Sequence, residues 1–306
     1  MARHIRQTHQ NARGRGDGRR RRWLVPLAVV AIAAVAVVVA LQARGCGGNG
    51  AAPASGGGTE ASSKASASAP DSQATPDSSS TSSLDQSSLA GMIQAGKVSS
   101  IRLVGDSITA GYGCDGYDQA ATTQVVSYSG SLGTYYETPG SVRCWANDFR
   151  EWATAHGVGT FVNAGVSGFR MQYLAEEPDA WLGDGADVIV VMLGTNDAAK
   201  EPVSSFREYA TQALAAAASK CRHLVVVSPP NNQRTDATNL YGMDQIDQAL
   251  TQICEEQGYE HVSLYDVLQV GTSDFNADQC HPTTSGSDKL WAALEERLNL
   301  TKVAAS

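Results

Sequence analysis

Four short stretches of this chain hold residue types that could do acyl chemistry if a fold brought them together. In the first, an apolar run from Ile101 to Val104 stops at a glycine, and Gly105-Asp106-Ser107-Ile108-Thr109 follows. A strand ending in a tight turn is one way to expose a hydroxyl at the edge of a parallel sheet. The spacing differs from the Gly-x-Ser-x-Gly elbow of the α/β-hydrolases, and Gly-Asp-Ser alone is ordinary turn chemistry. The second stretch, Asn163-Ala164-Gly165-Val166-Ser167-Gly168, is small and flexible enough to present a backbone N–H; alone it reads as a glycine turn. In the third, Gly194-Thr195-Asn196-Asp197, Asn196 could aim a carboxamide N–H into a cleft, or serve as a helix cap. The fourth is Asp278-Gln279-Cys280-His281-Pro282, with a carboxylate and an imidazole three residues apart. Such a carboxylate can fix the tautomer and orientation of the ring while the other ring nitrogen faces a hydroxyl.

A serine hydroxyl is a poor nucleophile until a base takes its proton, and a tetrahedral oxyanion needs donors aimed at it. Each stretch alone has a bland structural explanation. The four together, in this order, supply a nucleophile, a base, an orienter and oxyanion donors.

The elements that must position them alternate along the chain. Strand-like runs are expected at Ile101–Val104, Thr160–Asn163, Val188–Leu193, His223–Val227 and His261–Leu264. Helical spacing is expected over Val142–His156, Ser204–Ser219, Gln245–Gln257 and Thr284–Leu298, with a short helix within Leu84–Lys97. Continuous apolar strands alternating with helices predict an α/β protein, a parallel sheet covered on both faces in a three-layer α/β/α domain. Sites in such sheets lie beyond the carboxyl ends of the strands, where all four stretches fall. The long stretch from Gly113 to Ser141 interrupts this alternation and is expected to wall the site. Its tyrosines, 117, 128, 135 and 136, either stack on sugars or pack the loop onto the domain.

Gly105-Asp106-Ser107-Ile108, Asn163-x-Gly-x-Ser-Gly168, Gly194-Thr-Asn196-Asp and Asp278-x-x-His281-Pro resemble, in order, the four blocks of the SGNH/GDSL hydrolases. The resemblance covers residues 98–301. It implies a flavodoxin-like fold and a serine esterase, lipase or acyl-carbohydrate esterase that needs no cofactor. It implies Ser107 as nucleophile and backbone donor, Gly168 as a second N–H, Asn196 as side-chain donor, His281 as base and Asp278 as its orienter. Phe169-Arg170 after Gly168, and Cys280 beside His281, depart from the common pattern.

The N-terminal part has another character. Residues 1–22 hold eight arginines and one acid, a net +7, and Trp23 to Gln42 is almost uninterruptedly apolar. Twenty such residues span roughly 30 Å, the hydrocarbon thickness of a bilayer. The arginines put residues 1–22 in the cytoplasm and the rest outside. An uncleaved signal anchor fits this segment best; secretion after cleavage is the alternative. Residues 43–97 are rich in Ser, Ala and Gly and read as a disordered linker. The chain carries −8 overall, hence −16 beyond Arg44, which argues against a nucleic-acid partner.

Outside the cytoplasm, six cysteines favour disulfides over metal ligation, and no Cys-x-x-Cys or histidine cluster suggests zinc. Cys114–Cys144 and Cys221–Cys254 are the candidate pairs. The expected protein is a membrane-tethered serine esterase acting on acylated surface carbohydrate or lipid. Alternatives are an O-acyltransferase on surface glycans and a binding module that kept the fold.

Overall fold

Helices and strands alternate along residues 84–117 and 126–304, the residues that the computed structural model describes. In chain order the first are α1 (Leu89–Gln94), β1 (Ser100–Gly105), α2 (Ser107–Ala110), β2 (Val126–Gly130) and β3 (Gly133–Tyr136). Next come α3 (Trp145–Ala155), β4 (Thr160–Gly165), α4 (Met171–Glu176), α5 (Pro178–Leu182) and β5 (Ala186–Met192). The last are α6 (Val203–Ala218), β6 (Cys221–Ser228), α7 (Met243–Gln257), β7 (Glu260–Ser263) and α8 (Thr284–Arg297).

Five strands form one parallel sheet in the order β4-β1-β5-β6-β7. Counted among themselves they run 2-1-3-4-5, the flavodoxin-like order, whose crevice opens beside the first strand, where the strand order reverses. Successive side chains of a strand point to opposite faces, so a strand covered on both sides must be apolar throughout. In β5, Val188, Val190 and Met192 join one core with α1, α3 and α8, while Ile189 and Val191 join the other, with α4 to α7. The three-layer expectation holds. In α6 the buried positions are Phe206, Ala210, Ala213, Leu214 and Ala217, a helical stripe whose alanines let the helix lie close to the sheet.

Expected and observed spans differ by three residues or fewer for the sheet strands and the long helices. α3 starts at Trp145 because Cys144 before it is extended (φ −141°, ψ 157°). Within the stretch expected as loop, β2 and β3 pair as an antiparallel hairpin. Tyr128 of this hairpin is buried and stacks on Trp181 at 3.9 Å between ring centroids, so it packs the hairpin onto α5. The short helix expected within Leu84–Lys97, at the end of the stretch read as linker, is α1, whose Leu89, Ala90 and Ile93 are buried in the core.

The tail 1–22, the apolar segment 23–42 and residues 43–83 of the linker lie outside the described residues. No helix among the described residues is long and apolar enough to cross a membrane. The expected disulfides Cys114–Cys144 and Cys221–Cys254 are not formed: all four cysteines are free thiols. Cys221 Sγ points instead at the carbonyl of Ala217, at 3.3 Å, and Cys114 Sγ at that of Pro282, at 3.8 Å.

Candidate active site

Three neighbouring strands, β4, β1 and β5, end level with one another: Gly105 pairs with Gly165 on one side and Met192 on the other. Ser107 lies two residues beyond β1, Gly168 three beyond β4 and Asn196 four beyond β5. The sheet therefore delivers three of the expected residues to one edge.

Ser107 opens the short helix α2, which packs tightly against the ends of β1 and β4. A Cβ on Gly165 would sit 2.4 Å from the backbone nitrogen of Ala110, so only glycine lets α2 approach β4. Asn163 fastens the same contact: its Nδ2 donates to Thr109 O at 3.0 Å, and its Oδ1 accepts from Gly165 N at 3.0 Å. Asp106 caps α2 by accepting from Ile108 N at 2.9 Å. That carboxylate is 1% exposed, and burial pushes its pKa up to about 6.

The histidine arrives from the long connection between β7 and α8. The Asp278 carboxylate closes a turn on itself, with Oδ1 accepting from the backbone N–H of both Cys280 and His281 at 3.0 Å. Its Oδ2 accepts from His281 Nδ1 at 2.7 Å, which leaves Nε2 as the acceptor for Ser107 Oγ at 2.8 Å. Burial opposes the charge on Asp278, but the His281 N–H, the imidazole and the Cys280 N–H outweigh it and hold the pKa below the usual carboxylate value.

Asn276, which sequence reasoning missed, pins this turn through Nδ2 to the carbonyls of Pro282 (2.9 Å), His281 (3.1 Å) and Gly113 (3.3 Å). The Tyr112 ring packs on the His281 ring at 4.4 Å between centroids. Cys280 is a buried free thiol whose pKa burial raises to about 12.

Gly168 has φ +79°, a conformation that costs residues with a Cβ, and its N–H has no partner among the described residues. The N–H of Ser107 is likewise unpaired there, as a first-turn group of a helix is. Asn196 Nδ2 donates one hydrogen to Phe169 O at 3.2 Å, and its second hydrogen has no partner among the described residues. Chemically, this is a hydroxyl next to an imidazole nitrogen, a carboxylate behind the ring, and N–H donors on the turns after β1, β4 and β5: the equipment for acyl transfer.

Residues 103–289 match the model of the GDSL-like lipase/acylhydrolase family. The chain belongs to this family. It is a serine ester hydrolase. Among solved structures it is similar to Axe2, an acetylxylan esterase from Geobacillus stearothermophilus, at 17% identity and a TM-score of 0.50. That match covers 68% of this chain and 97% of Axe2. It is also similar to LAE5, an α/β hydrolase enzyme from the metagenome of Lake Arreo, Spain, at 17% identity and a TM-score of 0.51. There the match covers 66% of this chain and 95% of the other. At these identities the likeness speaks for the fold. No curated protein sequence matches the chain.

The Phe169-Arg170 departure from the SGNH/GDSL pattern is structural in this family member. Phe169 is 1% exposed and packs on Trp181, and Arg170 donates to Tyr173 Oη at 2.8 Å and lies 3.6 Å from Glu201. Asp197, beside Asn196, accepts from Met171 N at 3.0 Å and so ties the Asn196 turn to α4. Burial, with Glu201 beside it, raises the pKa of Asp197 well above the usual value. Of the wall stretch, Tyr117 stays near the site, its Oη 3.4 Å from Ser167 Oγ and its ring edge-on to Tyr112. A second serine–histidine pair, Ser228 Oγ with His261 Nε2 at 2.9 Å, has its serine fully buried and out of reach of substrate.

Proposed function

We propose that the protein is a membrane-tethered, extracytoplasmic esterase that hydrolyses acyl esters of cell-surface carbohydrate or lipid through a Ser107 acyl-enzyme. The observation that carries the reading is the hydrogen-bonded line Ser107–His281–Asp278, at 2.8 and 2.7 Å, at the sheet edge to which β1, β4 and β5 also bring Gly168 and Asn196. Ser107 Oγ attacks the ester carbonyl carbon while His281 Nε2 takes its proton. The oxyanion is held by the N–H groups of Ser107 and Gly168 and by Asn196 Nδ2. Collapse breaks the carbon–oxygen bond, and the imidazolium returns the proton to the departing alcohol. Water, deprotonated by His281, then attacks the acyl carbon and frees the serine. Asp278 stays ionised throughout and stabilises the imidazolium. No step calls for a cofactor or metal.

The arginine-rich tail ahead of residues 23–42 supports a cytoplasmic N-terminus and an outward-facing domain, and residues 43–83 supply the spacer. An outward-facing hydrolase on a membrane anchor meets acylated glycans and lipids first. Acetylated xylan, the substrate class in the name of Axe2, is a suitable first carbohydrate ester. The test is hydrolysis of p-nitrophenyl acetate and longer esters by the full chain in detergent, beside Ser107→Ala. Activity is expected to fall by roughly 10⁴-fold or more in the variant. Equal turnover by both proteins would remove Ser107 from the mechanism. Label passing to a sugar hydroxyl, without release of free acid, would make the enzyme a transferase.

A further inference from the structure

The loop after β6 reaches across the site and joins its two halves. Pro229-Pro230 follows the strand, and the chain beyond is hydrogen-bonded to the histidine turn. Gln233 N donates to Gln279 O at 3.0 Å, and Thr235 N donates to Asp278 O at 2.9 Å. Between these two anchors stands Arg234, whose side chain is only 10% exposed. Its Nε and Nη2 donate to the two carboxylate oxygens of Asp236, both at 2.8 Å. Its Nη1 donates to Asn196 Oδ1 at 3.2 Å.

A carboxamide has two nearly isosteric orientations, related by a half-turn about its last torsion. Only one of them offers N–H to an oxyanion. Two contacts decide between them here. A guanidinium can only donate, so the group facing Arg234 must be Oδ1; a carbonyl can only accept, so the group facing Phe169 O must be Nδ2. In the flipped orientation both contacts would be repulsive, donor against donor and acceptor against acceptor. A cation on Oδ1 also draws electron density from the amide nitrogen and makes the second Nδ2–H a better donor.

We infer that Arg234, held by Asp236, is a positioning residue that orients and polarises the Asn196 carboxamide as an oxyanion donor. The inference rests on the reading of Asn196 given above. Lysine would not replace it: the bidentate grip on Asp236 and the third bond to Asn196 need a planar fork. Arg234 touches no reacting atom, so its effect belongs to kcat and passes through Asn196.

The test is a double-variant cycle on the full chain with p-nitrophenyl acetate, reading kcat and KM for Asn196→Ala, Arg234→Ala and the pair. Loss of one oxyanion-hole donor costs kcat about 10²–10³-fold, and Arg234→Ala is expected to lose about 10–100-fold with KM within about twofold. In the Asn196→Ala background, Arg234→Ala is expected to change kcat by less than about twofold, as for residues that act as one unit. Thermal midpoints accompany each measurement. If Arg234→Ala does not fold, Arg234→Lys and Asp236→Asn carry the same cycle, each with a smaller loss that vanishes once Asn196 is gone. Multiplying losses, a raised KM at unchanged kcat, or wild-type kcat in the Arg234 variants would overturn the inference. Wild-type kcat in Asn196→Ala alone would instead remove Asn196 from the oxyanion hole.

Discussion

Asp278 meets His281 at two points: Oδ2 accepts from the ring Nδ1 at 2.7 Å, and Oδ1 accepts from the backbone N–H of the same residue at 3.0 Å. One carboxylate therefore sets both the path of the chain and the tautomer of the ring. Asp278→Asn keeps an oxygen for the turn but can place an N–H₂ where the ring needs an acceptor. Asp278→Ala loses both. The expected result is a fall in kcat of about 10²–10⁴-fold for either variant, by analogy with triads in which the acid is replaced. Only Asp278→Ala should also lose thermal stability. Because the pKa of Asp278 is held low, the carboxylate remains ionised well into the acid range. Asp278 should therefore add no step of its own to the acid limb of log kcat/KM above about pH 4, the ordinary carboxylate range. A slope of two above that pH would mean that Asp278 titrates with its partner.

Gly168 and Gly165 make a matched pair of tests, since one is required for its torsion and the other for its lack of volume. At Gly168 a Cβ would meet nothing within 4 Å, but φ is +79°, so Gly168→Ala costs backbone strain of roughly 1–2 kcal/mol. Relief of that strain would turn the N–H away from the oxyanion position proposed for it. The expected signature is a fall in kcat of about 10-fold or more with KM little changed and a small shift in Tm. At Gly165 a Cβ would press on the backbone of Ala110 and Thr109, which cannot move without moving α2 and Ser107. Gly165→Ala should lower stability by roughly 1–3 kcal/mol and kcat with it. Wild-type kcat in Gly168→Ala, or wild-type Tm in Gly165→Ala, would contradict the respective role.

The sequence displayed whatever is local. The apolar runs of β1, β5 and β6 read as buried strands, and the stripes of α6 and α7 as helices facing a sheet. Ser107, Gly168, Asn196 and the Asp278–His281 turn could each be marked because a strand end or a short spacing frames them. What stayed hidden is the support beneath those residues, whose partners are far apart in the chain. Arg234 lies 38 positions from Asn196, and Asn276 lies 163 from Gly113. Neither residue has a local pattern that distinguishes it from a loop residue. The β2–β3 hairpin did have a signal, the alternation Val126-Ser127-Tyr128-Ser129 ahead of glycine, but its pairing is confined to a two-stranded ribbon. The disulfide expectation failed for a different reason. Compartment and count predict that thiols pair, yet Cys221 is aimed at a backbone carbonyl of its own neighbourhood.

Asp106 gives a prediction about stability against pH. The group is 1% exposed, and burial raises its pKa from 3.8 to about 6. In this direction the folded state holds its proton more tightly than the unfolded chain does. Below about pH 4 the group is protonated in both states and costs nothing. Between about pH 4 and 6 the unfolded chain releases the proton first, so folding stability falls as pH rises, and above pH 6 the loss is complete. Two pKa units correspond to on the order of 2–3 kcal/mol. Asp106→Asn keeps the oxygen that caps Ile108 and removes the titration. Denaturant unfolding of the two proteins from pH 4 to 8 should therefore give curves that diverge through pH 4–6, with the variant gaining at the upper end. Both curves should run parallel above pH 6.5. Curves parallel over the whole range would mean that Asp106 ionises at its ordinary value in spite of its burial.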